Sequence, residues 1–295
     1  MKTSFSKPPL SYEQQVVLLQ SRNLTICNAS FAKTKLSHLN YYRLSAYYLP
    51  FYDSKEQFIE ETQFEDVVRL YYFDKKLRNI IFYAIEKIEV YLRSQVAYVL
   101  ARDLDAFGYT DHNNFTTRRA SHEALMKSIA SEVKRSKEVF VKHFFAKHTQ
   151  EDLPIWMMVE IISFGTLSKL YKALNTEQKR EITRGLGLPQ KVFDSWFHSL
   201  VYVRNICAHH SRMWNKVLSI KPEIPRKIEL FKTLNNNKIF FTLTMIEFLL
   251  NKIDDDEYLL KDEIIQLLKE HPSVDVTKMG FTQDWQELEV WREYE

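Results

Sequence analysis

At 295 residues, with 45% hydrophobic and 27% charged residues, the chain is long enough to bury a full core, and 5 Gly and 8 Pro are too few for a fold of many tight turns. Cys27 and Cys207 lie far apart with no CxxC spacing, which argues against a disulfide framework or a zinc knuckle and fits a reducing compartment. A net charge of +3 does not by itself announce a nucleic-acid binder. Met1 to Leu10 has no apolar signal-like run, and the longest apolar stretch, Ile239 to Leu250, is about half of what a bilayer requires. The expectation is a soluble, cytoplasmic, all-α protein with little or no sheet and no membrane segment.

Ser11 and Gln14 form a capping-box pattern ahead of Val16, Val17, Leu18 and Leu19, so a first helix is expected over Ser11 to Arg22, with a second over Ser30 to His38. The aromatic run Asn40 to Tyr52 is assigned to packing and should bend at Pro50. The strongest periodicity spans Phe64 to Ala101, where Leu70, Phe73, Leu77, Ile80 or Ile81, Ala84, Ile88 and Leu92 step by three and four, the mark of a long amphipathic helix. Its polar side carries Asp74 with Arg78 and Glu89 with Arg93, each acid four residues before a base, and Glu86 one turn before Glu89. Surface pairing is the ordinary account of these charges; support of a site is the other.

Asp105 to Thr117 reads as a loop, followed by one helix from Ser121 to Lys147. Pro154 opens a helix to Ile162, interrupted at Ser163-Phe164-Gly165-Thr166, with Thr166 expected to cap its continuation to Leu174. Asn175 and Gln178 cap another helix, closed by Gly185 or Gly187. Pro189 opens a helix whose stripe of Val192, Phe193, Trp196, Leu200, Val203 and Cys207 should be buried, and further helices are expected over Ile228 to Leu234, Ile239 to Ile253 and Glu257 to Lys269. Domain boundaries are expected near residues 60 and 220: an N-terminal helical segment (1–60), a core (61–220) and a C-terminal extension (221–295).

Charge is unevenly spread. From His112 to His148 there are eight Lys/Arg against three acids, whereas Asp254 to Glu295 holds thirteen acids against four bases. Both fit solvated helix faces; the basic run, through Arg118, Arg119, Lys134, Arg135 and Lys137, is also the first place to look for RNA contacts.

The segment with chemistry in it is Arg204-Asn205-Ile206-Cys207-Ala208-His209-His210, followed by Arg212. On a helix Asn205 and His209 share a face opposite the buried stripe, with Arg204 beside them and Arg212 expected one turn on. Cutting an RNA backbone without metal needs a group that moves the proton of the 2′-hydroxyl or of the leaving 5′-oxygen, and a cation to stabilise the crowded phosphate; histidine and arginine suit those roles.

This run resembles the ribonuclease signature of HEPN domains. With the aromatic Asn40 to Tyr52 segment, Phe73-Asp74-Lys75-Lys76-Leu77-Arg78, Ile85-Glu86-Lys87-Ile88-Glu89 with Arg93, and Ser163-Phe164-Gly165-Thr166-Leu167, the chain through about Asn215 is similar to the abortive-infection proteins of the AbiD/AbiF (Abi-2) group. The resemblance implies a HEPN-like helical bundle with additional N- and C-terminal helices, in which Arg204 and His209 match the catalytic positions and Asn205, His210, Arg212, Glu86, Glu89 and Arg93 support them. It further implies a metal-independent endoribonuclease of phage defence with no cofactor, active as a homodimer because one chain has one motif, and associated with a small structured RNA. The principal rival is a non-catalytic RNA- or protein-binding HEPN module acting as a sensor or antitoxin. A helix-turn-helix DNA binder over Lys179 to Ser199 is disfavoured because its second helix is mostly buried, and no DNA partner is expected.

Overall fold

The computed structural model describes residues 4, 8–53, 57–253 and 260–292. Among them there is no strand, only two isolated bridges, Thr25 with Gln63 and Tyr52 with Phe58, so the protein is all-α. Its helices are α1 (Tyr12–Gln20), α2 (Ala29–Leu39), α3 (Tyr41–Tyr48), α4 (Phe64–Leu104), α5 (Arg119–Arg135), α6 (Val139–Lys147), α7 (Ile155–Ile161), α8 (Phe164–Ala173), α9 (Thr176–Thr183), α10 (Gln190–Ala208), α11 (Ile239–Ile253) and α12 (Leu260–Glu270). The chain divides into two compact units, Met1–Leu77 with Leu267–Val274, and Arg78–Gln266 with Asp275–Glu295. Helices α4 and α12 contribute residues to both.

In the first unit, Ser11 and Gln14 make the reciprocal capping box that starts α1, and Asn28 caps α2 through the Phe31 N–H. Helix α3 places Tyr47 and Tyr48 in the core, and the chain tightens into a 3-10 turn, Leu49–Phe51, at Pro50, which cannot continue an α-helix without losing a backbone bond. The Tyr47 hydroxyl donates to the Asp74 carboxylate at 2.6 Å, and both residues are buried. The expected surface placement of Asp74 and Arg78 is therefore corrected: both side chains are buried. Helical spacing alone cannot tell a polar face in water from one covered by other segments.

In the second unit, α4 continues from Arg78 with Ile81, Ala84, Ile85, Ile88, Leu92, Val96 and Val99 fully or almost fully buried. The single basic helix expected over Ser121 to Lys147 is two. Ser136 is extended (ψ 138°), and its hydroxyl accepts the N–H of Glu138 at 3.2 Å, a local bond that competes with helix continuation. At the α7–α8 break the cap is Ser163, not Thr166: the Thr166 N–H donates to the Ser163 hydroxyl at 3.3 Å. Asn175 and Gln178 form the expected capping box of α9, and Gly187, at φ 65°, closes the turn before α10, a backbone shape that glycine adopts without penalty.

Helix α10 buries the anticipated stripe, with the Trp196 indole N–H bonded to the Glu223 carbonyl at 2.8 Å. Instead of a helix over Ile228 to Leu234 there is a 3-10 turn, Glu229–Phe231; the following Asn235 to Asn237 satisfy backbone groups locally, Asn235 accepting the Asn237 N–H. The expected start of the last helix at Glu257 lies outside the described residues; from Leu260 the helix runs to Glu270. The acidic C-terminal segment is anchored, not free: Trp291 is fully buried, stacks on Phe240 of α11, and donates its indole N–H to Thr244 at 3.0 Å.

Candidate active site

Helix α10 ends inside the Arg204 to Arg212 run, although no glycine or proline stands there. Ala208 is its last residue, His209 the cap (φ −87°, ψ 8°), and His210 takes a left-handed conformation at φ 55°. The His210 N–H bonds to the Cys207 carbonyl and the Ser211 N–H to the Ile206 carbonyl, each at 3.0 Å. This crossed pair is the Schellman closure, which satisfies carbonyls that would otherwise be orphaned at the helix end. His209 and Asn205 are exposed, and the His209 N–H reaches the Asn205 carbonyl at 3.0 Å. Arg212, expected one turn further along the helix, lies beyond it, because the chain has already turned at His210.

Arg204 is held from α4. Phe82, Glu86, Glu89 and Arg93 are spaced by four, three and four residues and so share one face of that helix. Arg204 reaches across to this face: its guanidinium carbon lies 5.4 Å from the centroid of the Phe82 ring, and its Nε is 3.8 Å from a carboxylate oxygen of Glu89. That separation is an ion pair but not a hydrogen bond, and the buried Nε–H of Arg204 has no acceptor. The Arg204 side chain as a whole is 32% exposed. Glu86 is exposed on the same face.

Behind Arg204 the charges are dry. Glu89 bonds with its other oxygen to Arg93, the two side chains being 12% and 11% exposed. Arg93 also donates to the Val159 carbonyl and, at 2.8 Å, to the Ile162 carbonyl, so a guanidinium caps the C-terminal end of α7. The next residue, Ser163, gives its N–H to Glu132 of α5, and Glu132 accepts the Thr166 hydroxyl at 2.6 Å. Three separated sequence patterns, Glu89 with Arg93, the Ser163 to Thr166 turn and Arg204, thus meet in one connected set. The sequence reading missed Phe82 and Glu132. The signal for Phe82 was an aromatic residue off the buried stripe of α4; for Glu132, an acid standing in a basic helix.

This arrangement offers chemistry at one edge. A partly exposed arginine stands in the last turns of α10 and an exposed histidine at its C-cap, and a buried acid–base pair sets the position of the arginine. Arg118, Arg119, Lys134, Arg135 and Lys137 are all exposed, but Arg119 and Lys134 stand at opposite ends of α5, roughly 23 Å apart at 1.5 Å per residue. They do not form one compact patch. Among the described residues no group of three or more His, Cys, Asp or Glu is disposed to hold a metal ion.

The fold and this polar edge define an all-helical protein with a partly exposed arginine backed by a buried ion pair and an exposed histidine at the end of the same helix. Residues 34–215 match the family described as Abi-like protein, and the chain belongs to that family. The matched span contains each of the patterns just described, and the family connects the chain with abortive infection in phage defence. No curated protein and no solved structure matches the chain. No helix among the described residues is long and apolar enough to cross a membrane.

Proposed function

We propose that the protein is a metal-independent endoribonuclease of abortive infection, cutting RNA through a composite Arg204/His209 site in a homodimer. The observation that carries this reading is that Arg204, steered by the buried Glu89 yet with its side chain 32% exposed, lies in the last turns of the helix that ends at the exposed His209. A guanidinium that a buried carboxylate holds on one side and that keeps part of its surface in solvent is placed to receive a phosphate.

In the proposed reaction the ribose 2′-oxygen attacks the adjacent phosphorus as its proton passes to a base. The bond to the 5′-oxygen breaks, and that oxygen takes a proton from an acid, leaving a 2′,3′-cyclic phosphate and a 5′-hydroxyl. One imidazole cannot serve as base and acid in the same step. Two copies of His209, one from each protomer, supply both, and Arg204 stabilises the negative charge that builds on the non-bridging phosphate oxygens.

The test is incubation of the purified full chain with mixed cellular RNA in EDTA, beside His209→Ala and Arg204→Ala. Cleavage by the parent to cyclic-phosphate ends, with about a 100-fold to 10,000-fold loss in His209→Ala, is the expected result. DNA, which has no 2′-hydroxyl, stays whole. Intact RNA at every protein concentration, with RNA binding retained in both variants, assigns the chain to the non-catalytic module instead.

A further inference from the structure

We infer that a lysine-lined groove between α8 and α10 is the track for the phosphate backbone of the single-stranded RNA leading to His209; this rests on the nuclease reading. The groove encloses about 590 Å3, within the range of ligand sites, and lies wholly in the second unit. Lys169 and Lys172 line it from α8, Lys191 and His198 from α10, and Lys221 from the segment after α10. Two carboxylates share the lining, and each pairs with a lysine: Asp194 through one oxygen with Lys179 at 3.3 Å and Glu223 with Lys191 at 3.0 Å. Lys169, Lys172 and Lys221 are exposed and have no ion pair among the described residues. Four lysines against two carboxylates thus line one depression, and three of the lysines have no ion pair among the described residues, a local positive excess of the kind a phosphate ligand would answer.

The direction of the groove selects the ligand. On α10 the lining positions 194 and 198 belong to a partly exposed ridge that continues through Tyr202 and Asn205 to His209, steps of three and four along one helix face. From His198 to His209 is roughly 16 Å at 1.5 Å per residue, a span that a few nucleotides cover. Tyr202, half-buried and tied through its hydroxyl to the Ser219 N–H at 3.4 Å, puts an aromatic ring on that route. An acidic peptide would satisfy the lysines but would have no use for the continuation toward His209. The basic run on α5 and α6, by contrast, is dispersed along its helices.

The experiment measures binding of a short 2′-O-methyl oligoribonucleotide, which cannot be cut, to the full chain as a function of salt. Lys169→Ala, Lys172→Ala and Lys221→Ala combined should lower the affinity at least tenfold and flatten the dependence of log K on log salt by roughly 2, at about 0.7 per phosphate contact. Arginine at the same three positions should restore both, which separates charge from misfolding. Unchanged affinity and slope overturn the groove. So does loss of binding confined to an Arg118→Ala, Lys134→Ala, Arg135→Ala variant, or displacement of the oligonucleotide by a poly-glutamate peptide of equal charge at equal concentration. Because the probe is inert, a parent that cuts no RNA but whose binding depends on the three lysines supports the groove and removes only the nuclease reading.

Discussion

Two regions of the second unit each bury a glutamate, and they treat it differently. Glu89 on α4 stands between two guanidiniums, Arg93 behind it and Arg204 toward solvent. Glu247 on α11 accepts the Lys261 N–H at 3.2 Å, and burial pushes its carboxyl up to about 7. A buried carboxylate is thus not in itself the mark of a working site. At Glu89 the charge holds an arginine whose side chain is partly exposed, whereas at Glu247 it secures the N-terminal turn of α12 against α11.

The contrast is tested most severely at Arg93. Removing one member of a buried ion pair leaves the other charged and dry, so Arg93→Ala should cost about 3–5 kcal/mol in urea unfolding and also uncap α7. A variant that unfolds with the parent would erase the distinction between the two regions. Next in size is Glu247→Gln. The unfolded glutamate titrates near 4.5 and the folded one near 7, so between these values the folded chain keeps a proton that the unfolded chain has lost. Stability from this group is fully present below about pH 4.5, declines as pH rises toward 7, and stays reduced above. Glu247→Gln should remove that decline, a gain of at most about 3 kcal/mol at pH 8 and little at pH 4.5. A parent and variant with parallel stability–pH curves would contradict it. The smallest effect is expected where α10 closes. At the left-handed His210, glycine should be more stable than valine by about 1–2 kcal/mol, read as the difference in unfolding between His210→Gly and His210→Val. Equal stabilities would mean that the turn relaxes when its residue changes.

The long helix and the main buried stripes were legible in the sequence because local periodicity encodes them: α4 from its three-four stepping, α10 from Val192 to Cys207, and α1 and α9 from reciprocal caps. Arg204 and His209 were legible as a motif. What was not legible joins residues far apart in the chain. Arg93 meets the α7 carbonyls across 66 and 69 positions, and Glu132 meets Thr166 across 34. The lysine groove draws on three segments, none basic enough alone to stand out. The end of α10 was missed for a different reason: no breaker marks it, and only backbone bonding through His210 and Ser211 turns the chain away before Arg212.

The double grip of Arg93 has a mechanical consequence. One planar head clasps the closing carbonyls of α7 and, through Glu89, steadies Arg204, so the turn at Ser163 and the reach of Arg204 share a single support.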